Sequence, residues 1–161
     1  MISIDTPPIS TDAHRSARTA TRQGPAMCVM PTTQESVPAL RRFARGLGRH
    51  WEIPDVVDEA LSVVVSELVT NVLLHSGSPD VALLLTLDGA ILTVQVRDTG
   101  CWRPRSSPRR VPEDDDACCG RGLLLVEAYA THWAATLAPE GTRVLAQLTL
   151  PEIPAPRAVA A

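Results

Sequence analysis

The chain of 161 residues contains no lysine, because all 15 of its basic residues are arginine. Three classes of enzyme need a lysine for their chemistry. P-loop NTPases use it to reach the terminal phosphates, pyridoxal-phosphate enzymes form a Schiff base on it, and eukaryotic-type protein kinases hold phosphates with a strand lysine. The absence of lysine therefore excludes these three classes.

The chain also lacks a basic excess and a long apolar run. Its formal net charge is -3, so no basic stripe is available to hold a phosphate backbone, and direct nucleic-acid binding is not expected. No run of about 18 uncharged apolar residues and no leader with a small-residue cleavage site occurs, which argues against membrane insertion and secretion. A cytoplasmic location is therefore expected.

Cysteine is scarce, with four residues at Cys28, Cys101, Cys118 and Cys119. They lack paired C-x-x-C spacing, so no zinc site is predicted, and in a cytoplasmic chain they are expected to be free thiols. The adjacent pair Cys118 and Cys119 has two interpretations, a redox sensor or small apolar fillers, and the second is the simpler.

The composition predicts a single soluble domain flanked by two tails. Hydrophobic residues make up 45% of the chain, which is normal for a globular fold. Residues 1–32 mix polar residues, proline and arginine without a period, and residues 151–161 are rich in proline and alanine, so both ends are predicted to be disordered. The folded domain is predicted over residues 33–150.

Two helices are predicted first in this domain. Ser36 can cap a helix that ends near Trp51, and Pro54 then separates it from a longer helix over about Asp55 to His75. Apolar residues recur at helical spacing in both segments, and Gly77, Ser78 and Pro79 end the second helix.

Two hairpins follow, with a long loop and a short helix between them. Segments 81–87 and 90–98 are joined at Asp88-Gly89, a dipeptide that favours a type I′ turn. Residues 100–119, here called the lid loop, contain three prolines, four arginines and an acidic cluster. A helix over about 121–130 and strands near 133–138 and 142–150 complete the order. This order predicts an α+β, two-layer sandwich with a mostly antiparallel sheet covered on one face by helices.

Glu67, Asn71 and His75 are spaced four residues apart, so each side chain is rotated by only about 40° from the one before it. The three therefore form one stripe along the second helix. A carboxylate and an amide oxygen in this arrangement can orient Mg²⁺ and its waters around the phosphates of a nucleotide. The alternative interpretation is an ordinary solvated polar face.

Strand alternation predicts that Asp98 faces the core, because Leu92, Val94 and Val96 precede it with period two. A carboxylate on the covered face needs a donor, and the amino group of adenine is suitable. Gly100 would let a base and the backbone approach closely. The alternative is an aspartate that only begins a turn.

The last two motifs are Gly141-Thr142 and Gly120-Arg121-Gly122. Alternation with the apolar residues of its strand turns Thr142 inward, although a threonine at the start of a strand also has ordinary β propensity. Gly120-Arg121-Gly122 opens a helix, whose free N–H groups and dipole can bind phosphate. Alone, the two glycines would indicate a turn and the arginine a solvent-facing side chain.

The four motifs together resemble the Bergerat ATP-binding fold of the gyrase, heat-shock chaperone, histidine-kinase and mismatch-repair (GHKL) superfamily. The short chain and the segments 66–71 (Ser-Glu-Leu-Val-Thr-Asn) and 120–126 (Gly-Arg-Gly-Leu-Leu-Leu-Val) resemble its anti-sigma-factor serine/threonine kinase branch. The resemblance covers about residues 33–150. The acidic cluster and the cysteine pair of the lid loop depart from the family pattern.

The resemblance implies a role for each matched residue. Glu67 would be the general base, Asn71 would coordinate Mg²⁺ and Asp98 would bind adenine. The nucleotide pocket would be completed by His75, Gly100, Gly120, Arg121, Gly122 and Thr142. The protein would transfer the γ-phosphate of ATP to a serine or threonine of an anti-anti-sigma (STAS-type) partner and so control the availability of a sigma factor.

Two other functions use the same motifs. The first is a non-catalytic ATP-binding module that sequesters a sigma factor or another regulator, and the motifs do not separate it from a kinase. The second is the catalytic domain of a histidine kinase. This hypothesis is the weaker one, because the upstream segment has no room for a dimerisation element. Homodimerisation through the first helix and the 81–98 hairpin is a further hypothesis, taken from the family alone.

Overall fold

The computed structural model describes residues 22–101 and 121–151, which form an antiparallel sheet covered by helices. The elements in chain order are β1 (Arg22–Pro31), α1 (Ser36–His50), α2 (Asp55–His75), β2 (Asp80–Asp88), β3 (Ile91–Asp98), α3 (Arg121–Tyr129), β4 (His132–Ala138) and β5 (Gly141–Thr149). The strands lie in the order β1-β2-β3-β5-β4, and neighbours pair antiparallel. The predicted α+β sandwich is confirmed.

The sheet has a face covered by helices and an open face, because the side chains of its strands point alternately to the two sides. In β2, β3 and β5 every second residue is buried and turned toward the helices, and the residues between them lie on the other face. The buried apolar residues of these strands are Val81, Leu83, Leu85, Leu87, Leu92, Val94, Val96, Val144, Ala146 and Leu148. The core therefore lies between the sheet and the helices.

Helix α2 forms the centre of the helical layer. It packs against α1 and α3 on its sides and against β3 and β5 below. Its buried residues are consequently spread around much of its circumference, and they are Val57, Ala60, Leu61, Val64, Val65, Leu68, Val69 and Val72. At about 25 cal/mol per Å² of apolar surface, burial on this scale is the main term that stabilises the fold.

Strand β1 corrects the predicted domain boundary. The sequence predicts a disordered tail over residues 1–32, but residues 22–31 pair antiparallel with β2, so the sheet includes the chain from Arg22 onward. Gly24, Pro25 and Pro31 concealed the strand in the sequence. An edge strand tolerates proline because one side of its backbone has no partner, and the register shifts between Gln23 and Ala26.

Two local predictions also differ from the structure. The N-cap of α1 is Glu35 instead of Ser36, whose hydroxyl donates to the carbonyl of Pro31. The Glu35 carboxylate accepts hydrogen bonds from the backbone N–H of Glu35 and from the side chain of Thr33, and these bonds lower the pKa of Glu35.

The β2–β3 hairpin is confirmed, but its turn type differs from the prediction. A type I′ turn needs positive φ at both loop residues, whereas a type II′ turn needs it only at the first. In the two-residue loop only Gly89 has positive φ (59°), so the turn is type II′.

Some of the predicted segments lie outside the described residues. These are residues 1–21, residues 102–119 of the lid loop with Gly120, and residues 152–161 of the predicted C-terminal tail. Across the described ranges, no helix combines the length and the apolar character that crossing a membrane would require.

Replacing Leu61 by alanine should lower the free energy of unfolding by about 2–5 kcal/mol, because it leaves a cavity at a site that is 1% exposed. The control is Leu74→Ala on the same helix, where the side chain is 55% exposed and the change should stay within about 0.5 kcal/mol. Urea denaturation followed by circular dichroism measures both. Equal losses for the two variants would contradict the described packing of α2.

Strand β1 can be tested by the direction of its side chains. Cys28 packs against the core, whereas Met27 is 65% exposed on the other face. Cys28→Asp should therefore cost about 1–3 kcal/mol through burial of a polar group, and Met27→Asp less than about 1 kcal/mol. If chemical denaturation shows the two variants to be equally stable, residues 22–31 do not form this strand.

Candidate functional site

The α2 stripe lies at the boundary between the buried core and the exposed surface. Glu67, Asn71 and His75 are each half-buried, while Leu68 and Val72 beside them are almost completely buried. The packing of those apolar neighbours fixes the rotation of the helix. The predicted stripe is therefore present, with its side chains held at the edge of the core.

Helix α3 begins directly over this stripe. A Cβ atom added at Gly122 would lie 2.7 Å from Glu67 Oε2, 3.6 Å from Asn71 Oδ1 and 3.8 Å from Asn71 Nδ2. The first turn of any helix has backbone N–H groups without intrahelical partners. The structure thus brings the start of α3 against a carboxylate and an amide, and glycine is the residue that leaves room for both.

The Asn71 amide has unused hydrogen-bonding capacity. Its Nδ2 atom is buried and has no hydrogen-bond partner among the described residues. A buried polar atom without a partner costs free energy, and such atoms often indicate a site for a ligand or water. Because rotation about χ2 exchanges the amide oxygen and nitrogen, Asn71 can present an oxygen to a cation or an N–H to a phosphate oxygen.

Asp98 and Thr142 lie opposite each other at the ends of β3 and β5. They are register partners in the sheet, and both face the helices, with exposed fractions of 7% and 4%. The orientation predicted from strand alternation is therefore confirmed. Gly100 N–H donates to Asp98 Oδ1 at 2.9 Å, which orients the carboxylate.

The β4–β5 turn closes against the end of β3 at Gly141. This glycine has φ of 136°, and a Cβ atom there would lie 1.9 Å from the carbonyl oxygen of Asp98. Next to this contact is an open groove of about 250 Å³, lined by Arg97, Asp98, Glu140, Gly141, Thr142 and Arg143. Glycine at position 141 thus permits the backbone approach that shapes the groove.

The C-terminal end of α2 meets the same end of β3. A Cβ atom at Gly100 would lie 2.0 Å from the carbonyl oxygen of Ser76, so the two backbones are in direct contact there. Asn71 and Ser76 are separated by five residues, or roughly 7.5 Å along the helix axis. The α2 stripe and Asp98 therefore belong to one end of the sandwich.

The described residues contain a larger groove of about 430 Å³ elsewhere. It lies at the hairpin end of the sheet and is lined by Gln23, Pro25, Thr86, Leu87, Asp88, Ile91, Thr93 and Gln147. None of the predicted site residues borders this groove. Of the residues that line it, Asp88 alone carries a charge. The smaller groove at Asp98 is the better candidate, because size alone does not supply convergent polar groups.

Some of the predicted site residues lie outside the described part of the chain. Gly120 and the lid arginines lie outside the described residues, and the backbone of Arg121 begins α3. The described part of the chain also contains no cluster of three histidine, cysteine, aspartate or glutamate side chains that could hold a metal ion. A cation at Asn71 would therefore need further ligands from its substrate and from water, which is the usual pattern for Mg²⁺.

The contacts of the two serines that follow α2 are not predictable from the sequence. Ser76 and Ser78 are buried and hydrogen-bonded at the contact with β3, whereas the sequence indicates only that Ser78 belongs to the segment that ends the helix. A Ser-Gly-Ser segment is a common turn composition, so the sequence carried no signal for this contact.

Comparison with known proteins agrees with this fold. The chain is similar in structure to the RsbU and RsbW domains of Rv1364c from Mycobacterium tuberculosis, with a TM-score of 0.62 and 16% sequence identity. The match covers 80% of this chain and 33% of that chain, so this chain spans about a third of the length of the solved structure. At this identity the likeness establishes the fold.

Curated proteins give no match to this chain. A family model does match, over residues 30–148, and its description is histidine kinase-like ATPase domain. These residues include the α2 stripe, Asp98, Gly122 and Thr142, and they span most of the ordered sandwich. The chain belongs to the family of histidine kinase-like ATPase domains.

Proposed function

We propose that this protein binds ATP at the end of the sandwich where α2, α3, β3 and β5 meet. In this proposal it transfers the γ-phosphate to a serine or threonine of a protein partner. The observation that carries the proposal is the position of Gly122 over Glu67 and Asn71, at the same end of the molecule as the buried pair Asp98 and Thr142. Family membership supports the use of ATP.

The adenine base is assigned to the sheet side of the site. Asp98 and Thr142 present a carboxylate and a hydroxyl on adjacent strands, within the helix-facing layer, where water competes less for hydrogen bonds. A carboxylate oxygen accepts well from an exocyclic amino group. The Gly100 N–H that donates to Asp98 Oδ1 helps to set the direction of that carboxylate.

The phosphates are assigned to the helix side. The start of α3 provides backbone N–H groups and the positive end of the helix dipole, both of which favour anions. Asn71 offers its amide in the same place, and its unpartnered Nδ2 atom fits this assignment. Mg²⁺, when bound, would neutralise phosphate charge, and the Asn71 oxygen is the described group best placed to hold it.

Glu67 is assigned the role of general base. Its Oε2 atom points toward the start of α3, where the phosphates are proposed to bind, instead of away into solvent. A carboxylate there can accept the proton of a serine or threonine hydroxyl as that hydroxyl attacks the γ-phosphorus, while the bond from the γ-phosphorus to the bridging β-phosphate oxygen breaks and ADP leaves. Phosphoryl transfer otherwise depends mainly on positioning and charge stabilisation, so little further covalent machinery is needed.

The partner is proposed from the resemblance in sequence and from the similar solved structure. That structure contains the RsbU and RsbW domains of Rv1364c, and the sequence resembles anti-sigma-factor serine/threonine kinases. An anti-anti-sigma (STAS-type) protein is therefore proposed as the phosphate acceptor, and a sigma factor as the regulated protein.

Asp98→Asn should weaken ATP binding at least about tenfold, because a hydrogen bond to a charged group contributes about 1.5–3 kcal/mol. Asparagine keeps an oxygen for the Gly100 N–H, so the fold should be retained. Calorimetric titration of ATP, with and without Mg²⁺, measures the dissociation constant. The matched control is Asp88→Asn at the other end of the sheet, where the affinity should not change. Unchanged binding by Asp98→Asn would remove this residue from the site.

Glu67→Gln should reduce γ-phosphate transfer to candidate anti-anti-sigma proteins by about 10²–10⁴ fold while leaving ATP affinity nearly unchanged, as expected for loss of a general base. Glu59→Gln on the exposed side of the same helix should behave as the unmodified protein. Transfer of labelled phosphate and calorimetry give the two quantities. Undiminished transfer would contradict the role of Glu67. ATP binding without transfer to any partner would favour a non-catalytic module that sequesters a regulator.

A further inference from the structure

Ser78 connects the two halves of the candidate site. Its side chain is 5% exposed and lies between the end of α2 and the end of β3. Ser78 Oγ donates to the carbonyl oxygen of Asp80 at 2.6 Å and accepts from the backbone N–H of Thr99 at 3.1 Å. Thr99 Oγ1 lies 3.2 Å from the same hydroxyl. One buried hydroxyl thus joins the α2–β2 turn to the segment that follows Asp98.

The contact reaches the Asp98 carboxylate in a short series of steps. Ser78 holds the backbone of Thr99, and the next residue, Gly100, donates its N–H to Asp98 Oδ1 at 2.9 Å. Gly100 is itself pressed against the turn, since a Cβ atom there would lie 2.8 Å from the backbone nitrogen of Ser78. The direction of the Asp98 carboxylate therefore depends on where Ser78 holds this backbone.

Ser76 holds the turn from the helix side. Its buried Oγ atom accepts from the backbone N–H of Ser78 at 3.0 Å, and its own backbone N–H donates to the carbonyl of Val72, one helical turn below. Asn71 is the neighbour of Val72 in α2. The hydrogen bonds therefore run from the helix that carries the α2 stripe, through Ser76 and Ser78, to the end of β3.

We propose that Ser78 is a positioning residue that sets base specificity, because it orients the Asp98 carboxylate relative to α2 for recognition of an adenine amino group. This inference rests on the proposed function. Loss of the Ser78 hydroxyl leaves the fold in place but frees the Thr99–Gly100 backbone, so the carboxylate no longer meets the amino group in a fixed direction. Binding of the phosphates by α2 and α3 does not depend on this contact.

The experiment compares ATP with inosine triphosphate, in which a carbonyl oxygen replaces the amino group of adenine. Calorimetric titration in the presence of Mg²⁺ gives the ratio of the two dissociation constants. The unmodified protein should prefer ATP by about tenfold or more, as expected for one hydrogen bond to a charged group. Ser78→Ala should reduce this preference severalfold, mainly through weaker ATP binding, with inosine triphosphate affected little.

Two further variants separate positioning from a general loss of structure. Ser78→Cys replaces the hydroxyl by a slightly larger thiol, which fills the site but is a weak hydrogen-bonding group, so it should reduce the preference even if Ser78→Ala fails to fold. Ser62→Ala removes a comparable side-chain bond, from Ser62 Oγ to the carbonyl of Asp58 at 2.8 Å, and should keep the preference. A change in stability alone would weaken the binding of both nucleotides equally and leave the ratio of their dissociation constants unchanged.

The possible outcomes distinguish this inference from the proposed function. Absence of ATP binding by the unmodified protein would overturn both. A preference for ATP that is lost in Asp98→Asn but kept in Ser78→Ala and Ser78→Cys would overturn the role of Ser78 and leave the site intact. ATP binding without any preference over inosine triphosphate would also overturn the inference, since there would be no base specificity for Ser78 to set.

Discussion

The packing of α2 is the constraint on which the rest of the structure depends. This helix contacts α1, α3, β3 and β5, and the residues that face them are buried and apolar. Glu67 and Asn71 can therefore lie only where the helix emerges from this packing, beside the start of α3. The core consequently fixes the orientation of the polar stripe. A rotation of α2 that moved this stripe inward would bury the Glu67 carboxylate, and the cost of burying a charge opposes such a rotation.

The sheet side of the site is fixed by alternation in the same way. Asp98 continues the buried row of Val94 and Val96, and Thr142 begins the row that contains Val144. A register slip of one residue would turn the polar pair to the open face and expose the valines, so the apolar rows maintain the pairing of Asp98 with Thr142. Both halves of the site thus use the hydrophobic core as their support.

Much of this was predictable from local pattern, and the remainder depended on contacts between distant residues. The long helix, the β2–β3 hairpin and the inward direction of Asp98 follow from periodicity and turn chemistry. Strand β1 could not be predicted because Pro25 and Pro31 interrupt its pattern, and pairing with β2 decides its structure. The Ser78 contacts and the distance from Gly122 to Glu67 likewise depend on how separate elements meet.

The three described glycines of the motifs serve two different needs. At Gly100 and Gly141 an added Cβ would meet backbone atoms at 2.0 and 1.9 Å, which cannot move without displacing α2 or β3. At Gly122 the nearest atom is the end of the Glu67 side chain, which can rotate. Two glycines are therefore required for the sandwich to close at this end, whereas Gly122 preserves space beside two polar side chains. The contact at Gly122 is not needed for the backbones to pack, so it fits the proposed binding site better than a purely structural turn.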